Sequence, residues 1–198
     1  MVFSVFIIEN NYPEDFYKGR LDGYVAQQVL HLIGVTNKLR LVLDLAHFEE
    51  ALKEASRKTF HIIHLSCHDD NDGIALANDT QLTWHEFAAC FQNLEYCPGA
   101  LIMSACCGAD KGIEKAFQQL EKRPQIIFGS TDKRDFNEYA TAWTILYHRL
   151  SRNGETKKSA QQALKEIRAV VAGQFIYRRW DDKKRRYVQF SGNKTSKK

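Results

Sequence analysis

Phe60-His61-Ile62-Ile63-His64-Leu65-Ser66-Cys67-His68 and its later counterpart Ala100-Leu101-Ile102-Met103-Ser104-Ala105-Cys106 decide how this chain is read. Each run is too short for a helix, is rich in Ile and Leu, and stops at a turn-forming Asp or Gly, the pattern of a buried strand. Each also ends on a side chain with acid–base or nucleophilic chemistry. In an open parallel sheet, adjacent strands deliver their carboxyl ends to one rim, where ligands bind. If these two strands are neighbours, His68 and Cys106 face each other there. A thiol beside an imidazole is a nucleophile beside its base.

Working outward, Val2 to Glu9 is a near-continuous apolar strand, buried on both faces. Asn10 to Gly19 reads as a loop. Asp22 caps a helix over Gly23 to Leu32, ended by Gly34. Leu39 to Leu43 is a second strand and His47 to Lys58 a helix with Phe48, Ala51, Leu52 and Ala55 on one face. The strand ending at His68 comes third. The run Asp69 to Gly73 is a solvated turn, and Ile74-Ala75-Leu76 with Thr80-Gln81-Leu82 forms a hairpin across Asn78-Asp79. Thr83 caps a helix over Trp84 to Leu94, with Glu86 completing a capping box. After the strand ending at Cys106, a helix spans Lys111 to Lys122, a strand Gln125 to Ser130, and two helices Phe136 to Ser151 and Thr156 to about Gln174. Tyr187 to Phe190 is a last strand. Strands alternating with helices imply a mainly parallel sheet covered on both faces, in one domain over residues 1–190. Ser191 to Lys198 is a basic, flexible tail.

The composition suits such a domain: 198 residues, 44% hydrophobic and 26% charged. No apolar run approaches a membrane span, and the N-terminal stretch lacks the basic start of a signal peptide. Five cysteines (67, 90, 97, 106 and 107), an odd number without paired spacing, point to a reduced, cytoplasmic setting. The net charge of +4 is unevenly placed. From Arg178 onward basic residues exceed acidic ones by seven, leaving the preceding residues at about −3. Basic and aromatic residues mix there as in nucleic-acid contacts. A solvated helix end and linker is the preferred reading, with nucleic acid unlikely as a ligand.

Most cysteines serve as small buried hydrophobes, and Cys67, Cys90 and Cys97 are assigned that role. Cys106 differs because its strand stops just before Gly108, where a backbone exposes a side chain and its own N–H. Cys107 is the rival nucleophile, sent by alternation to the opposite side. His61, His64, Cys67 and His68 look like zinc ligands, but strand alternation divides them between two faces and no second ligand pair exists elsewhere. The acidic run fits a calcium loop only in part. Glu9-Asn10-Asn11-Tyr12-Pro13 is not a phosphate loop. No metal and no cofactor is expected.

With His68 and Cys106 in place, the chain resembles the caspase-like (clan CD) cysteine peptidases, and within them the bacterial CHAT branch, related to caspases and separases. Ile62 to His68 matches the family's apolar strand ending in His. Leu101 to Cys106 matches its strand ending in Ser-Ala-Cys. Ile126 to Ser130, with the helical segments around Ala140 to Leu150 and Ser159 to Ala163, resembles its strand followed by two helices.

The resemblance implies a three-layer sandwich with a mainly parallel central sheet flanked by helices. It also implies a metal-free endopeptidase that cuts a protein partner, with Cys106 as nucleophile and His68 as general base or acid. The oxyanion would be held by the backbone N–H groups of Cys106 and of the residue after the histidine. That residue is Gly in the family and Asp69 here, where a carboxylate opposes the developing charge unless it points away. Asp132 and Asp135 follow the fifth strand on the same rim, and Asp132 is the candidate for binding a basic substrate residue. Members of this branch act in bacterial defence or programmed cell death under other subunits, so an activating protein acting in trans is expected. Two alternatives stand beside this reading: a catalytically inactive module of the same fold, and an α/β ligand or nucleic-acid sensor using the basic tail.

Overall fold

The protein is described by a computed structural model over residues 3–57, 60–70 and 72–190. Its sheet begins at the edge strand β2 (Thr36–Leu41), followed by β1 (Ser4–Asn10) and β3 (Ile62–Asp69). The sheet continues from β3 through β6 (Ala100–Ser104), β7 (Ile126–Ser130), β8 (Phe175–Asp181) and β9 (Arg186–Phe190). The five strands from β2 to β7 in this order run parallel, and β8 and β9 are antiparallel additions. A small hairpin, β4 (Gly73–Ala75) and β5 (Gln81–Thr83), folds back on the end of β3.

Alternation along the strands divides the core into two layers. Phe6, Ile8, Ile63, Leu65, Leu101 and Met103 face one side. There they meet α3 (Leu45–Arg57), α4 (Trp84–Ala89) and α5 (Lys111–Gln118). Val5, Ile7, Ile62, Ile102 and Phe128 face the other. They pack on α2 (Asp22–Leu32), α6 (Phe136–Asn153) and α7 (Lys157–Val170). Helices therefore cover both faces of a mostly parallel sheet, as the alternating pattern implies. Among the described residues, no helix is long and apolar enough to cross a membrane. The tail expected over Ser191 to Lys198 lies outside the described residues.

Four expectations are corrected. The stretch Asn10 to Gly19 is not all loop: α1 (Pro13–Lys18) forms within it, with Pro13 at its first position and Gly19 closing it in the left-handed region at φ 66°. Asp22 does not cap α2. Its carboxylate turns inward to Ser66 and Ser104, and Leu21 occupies the cap. The Trp84 helix keeps its capping box but ends at Ala89, well short of Leu94. The last helix ends at Val170, because Val171 is extended and Gly173 sits at φ +120°.

The largest correction concerns the basic segment. Phe175 to Asp181 is a strand paired along β7, not a helix end and linker. Phe175 and Tyr177 enter one core layer, while Ile176 and Trp180 enter the other. Arg178, only 5% exposed, donates to the Ala109 carbonyl at 3.0 Å and to Glu114 at 2.5 Å. Its charge is spent on holding the chain that follows β6. Among the described residues of this segment, the exposed cations are Arg179 on β8, Lys183, Lys184 and Arg185 in the β8–β9 turn, and Arg186 at the start of β9.

Candidate active site at the carboxyl rim

β3 and β6 are adjacent and parallel, with Ser66 level with Ser104. His68 and Cys106 each follow two residues later in the chain, His68 still within β3 and Cys106 in the turn beyond β6, both at the carboxyl end of the sheet. Within β3, His68 shares the parity of His64, which packs against α6 through Trp143 and Tyr147. His68 extends β3 by pairing with Ala75 of the hairpin. Cys106 lies two residues past the end of β6.

His68 is tightly oriented. Its Nε2 lies 2.6 Å from Oδ2 of Asp15, a buried carboxylate on α1. Because that carboxylate accepts, Nε2 carries the proton and Nδ1 is left with a free lone pair. The ring stacks on Tyr12 at 4.5 Å between centroids and meets the edge of Phe136 at 5.7 Å. Arg20 approaches Asp15 at 2.6 Å and lies over the Phe136 ring. Asp15, Tyr12 and Phe136 were not anticipated from the sequence. The signal was present, since Pro13 followed by Glu14-Asp15 with Gly19 beyond is the pattern of a short helix.

Cys106 is held from two sides. Tyr139 of α6 donates to the carbonyl of the preceding Ala105 at 2.5 Å. Gly108 follows in a turn so close that a Cβ would stand 2.9 Å from that of Met103, so only glycine fits without a shift. The Cys106 thiol points to the Arg134 carbonyl at 3.8 Å. Burial pushes its pKa up, and that hydrogen bond lowers it in part. At rest the sulfur is a neutral thiol.

The rival Cys107 is buried at φ 60°, with its N–H directed at the Asp132 carbonyl. The amides of Gly108, Ala109 and Asp110 are likewise committed to the carbonyls of Ala105, Ser130 and Cys107. That leaves the Cys106 amide as the best placed of this turn to hold an oxyanion. Cys67 is buried in β3, and Cys90 and Cys97 lie away from the rim, partly covered.

The turn after His68 is not uniformly solvated. Both oxygens of Asp69 are buried without a hydrogen-bond partner among the described residues. Burial first, and Asp70 second, push its pKa to about 9. The residue is therefore a neutral acid at physiological pH, and the conflict expected between its charge and an oxyanion does not arise. Asp132 has a different environment. Its carboxylate accepts from Ser130 Oγ, from the Gln174 amide at 3.0 Å and from Arg134 at 2.8 Å. Among the described residues, no three His, Cys, Asp or Glu side chains are grouped to hold a metal ion. His64 is fully buried and pairs with the Tyr147 hydroxyl at 2.7 Å.

Beneath the rim lies a buried acidic pair. Glu9 and Asp22 are joined through Ser66, whose hydroxyl stands 2.7 Å from Glu9 and 2.6 Å from Asp22. Glu9 also accepts from Asn11 and from the Tyr24 amide at 2.7 Å, and Asp22 from Ser104. Burial raises both acids, and the charge of Asp22 raises Glu9 further, up to about 8. The pair retains a proton near neutrality. Glu9 ordinarily titrates near 4.5. Between that pH and about 8 the folded chain keeps a proton that the unfolded chain has lost, so stability falls as pH rises through the window. Glu9→Gln, which cannot ionise, is expected to flatten that decline. Urea unfolding between pH 5 and 8.5 checks it, and parallel pH curves for the two proteins would contradict it.

No family model matches the sequence, and no curated protein matches it. Solved structures do. The secreted C11 cysteine protease "iotapain" of Bacteroides thetaiotaomicron superposes with a TM-score of 0.57 at 11% identity, over 90% of this chain and 66% of that one. The Arg-specific cysteine proteinase gingipain R gives 0.54 at 12%, over 83% and 41%. The complex of the pro- and mature domains of Porphyromonas gingivalis RgpB gives 0.53 at 10%, over 85% and 43%. The chain thus spans from 41% to 66% of the length of these neighbours. At such identities the likeness is one of architecture. The chain has a caspase-like α/β fold: a mostly parallel central sheet flanked by helices.

Proposed function

We propose that this chain is a cysteine endopeptidase in which Cys106 attacks a peptide carbonyl and His68 moves the protons. The observation that carries this reading is the arrival of both residues at one rim, with His68 held by Asp15 so that Nδ1 is the free base. Two solved neighbours of the same fold, one described as a cysteine protease and one as a cysteine proteinase, support it.

As substrate enters, the Cys106 S–H proton passes to His68 Nδ1 and the sulfur bonds the carbonyl carbon. The oxygen takes the electron pair of the C=O bond and is met by the Cys106 N–H, with the Asp69 amide as the second donor. Collapse breaks the C–N bond, and His68 returns its proton to the leaving amine. Water then attacks the thioester, giving one proton to His68, which passes it back to the departing sulfur. Asp15 keeps the ring in one tautomer and steadies it while it is cationic. Protonated Asp69 adds no charge beside the oxyanion.

The neutral thiol, turned to the Arg134 carbonyl, favours a resting state that substrate or a partner must open. An activating protein in trans suits that state. Membership of the CHAT branch, a role in bacterial defence or cell death, and recognition of a basic residue by Asp132 extend the proposal. Asp132 would have to release Arg134 to bind such a residue.

An electrophilic peptide probe followed by mass spectrometry tests the reading. Labelling is expected at Cys106 and is expected to be lost in His68→Ala. Label spread evenly over the exposed thiols, or concentrated on Cys107, would overturn it and favour the non-catalytic module.

A further inference from the structure

We infer that the hollow beside α1 is a subsite for an apolar residue on the leaving-group side of the cut, the third or fourth after the scissile bond. This inference rests on the proposed peptidase reading and gives part of its substrate class. The hollow measures about 730 Å³ with its open mouth included, and is lined by Asn11, Pro13, Phe16, Tyr17, Leu43 and Ala77.

Its position follows from the sheet order. From Cys106 at the end of β6, the rim passes His68 on β3, then Asn11 just beyond β1, then Leu43 just beyond β2. In the proposed reaction His68 protonates the leaving amine, so the departing chain lies on the His68 side of the sulfur and runs in this direction. Strands lie about 4.8 Å apart, which puts Leu43 roughly 14 Å from the end of β6. An extended peptide advances about 3.3 Å per residue, so that distance takes about four residues. Tyr12, which stacks on His68, sits between Asn11 and Pro13 and ties the hollow to the reacting groups.

The chemistry of the walls selects the occupant. Tyr17 is 92% exposed and Leu43 is 52% exposed, two large apolar side chains left open to water beside a rim where a peptide would lie. Asn11 is 1% exposed; its Nδ2 donates to Glu9 and Ser66, while its Oδ1 has no partner among the described residues. The walls are braced, because the Asn78 amide donates to the Leu43 carbonyl at 3.1 Å and the Ala77 amide to Asn10 Oδ1 at 2.9 Å. An apolar side chain entering the hollow covers the open faces of Tyr17 and Leu43.

Two measurements test it on the full chain. In the first, a proteome-derived peptide library is digested and both sides of each cut are read. Leu, Ile or Phe is expected to be enriched at the third or fourth position after the cut, and Leu43→Asp should reduce that preference about tenfold while leaving the residues preferred before the cut unchanged. A flat profile after the cut, or a preference that survives Leu43→Asp, would overturn the inference. In the second, Ala-Ala-Leu-Leu-amide, which imitates a released fragment with its free amine and carries leucine at its third and fourth positions, is followed by saturation-transfer NMR with the Cys106→Ser protein. Signal transfer that disappears in Leu43→Asp supports the hollow even if the library is left uncut, a result that would instead count against the peptidase reading. No transfer to either protein would overturn the subsite.

Discussion

Replacing His68 by alanine is expected to slow peptide cleavage between about a hundredfold and about ten-thousandfold, the usual worth of a positioned acid–base group. The reason lies in the state of the sulfur. Burial holds Cys106 as a neutral thiol, so attack requires a base at the moment substrate arrives. His68 is built for that duty, since Asp15 takes Nε2 at 2.6 Å while Tyr12 and Phe136 fix the plane of the ring. The loss should appear mainly in kcat, because the ring's proton transfers belong to the transition state. Asp15→Asn should produce a smaller loss in the same direction, by weakening control of the tautomer. Initial rates on a cleaved library peptide check both, with circular dichroism confirming the fold. A His68→Ala enzyme within a few-fold of the parent would mean that another group moves the proton.

The largest effect on stability is expected at Trp143. It is completely buried on α6 and meets His64, Phe128, Tyr139 and Phe175 at ring separations from 5.8 to 5.9 Å. Its indole N–H donates to Ser104 Oγ at 2.7 Å, and Ser104 in turn donates to Asp22. Trp143→Ala opens a cavity in the layer beneath the rim and removes one donor from the buried acid network. Truncations of this kind cost about 3–5 kcal/mol, a large part of the roughly 5–15 kcal/mol that holds a domain together. At about 2–4 °C per kcal/mol for a chain of this size, the melting temperature should drop by about 6–20 °C. Scanning calorimetry measures it. A drop of only a degree or two would mean that the layer repacks and that the aromatic cluster is not the keystone of this face.

What the sequence made legible follows from how local the signals were. Strands buried on both faces, such as Phe6-Ile7-Ile8 and Leu101-Ile102-Met103, announce themselves by unbroken apolarity, and from them come the parallel sheet and the adjacency of the two strands that lead to His68 and Cys106. Thr83 and Glu86 are three residues apart and gave their capping box directly. Asp15 was hidden because its partner is 53 residues away, and nothing local distinguishes it from any acid in a first helical turn. Asp22 was misassigned as a cap for the same reason: its partners, Ser66 and Ser104, are distant in sequence. β8 was obscured by Arg178 and Arg179, whose charges read as exposed until Glu114 and the Ala109 carbonyl appear beside the first of them. Asp69 shows the converse, a residue that looks solvated within an acidic run and is instead neutral and covered.

The most direct test is cleavage by three purified proteins: the parent, Cys106→Ala and Cys107→Ala. Each is mixed with a proteome-derived peptide library, and new amino termini are counted by mass spectrometry. Termini made by the parent and by Cys107→Ala, and absent with Cys106→Ala, are the expected result. Termini that persist with Cys106→Ala, or vanish only with Cys107→Ala, would contradict the assignment of sulfur 106 as the nucleophile beside His68.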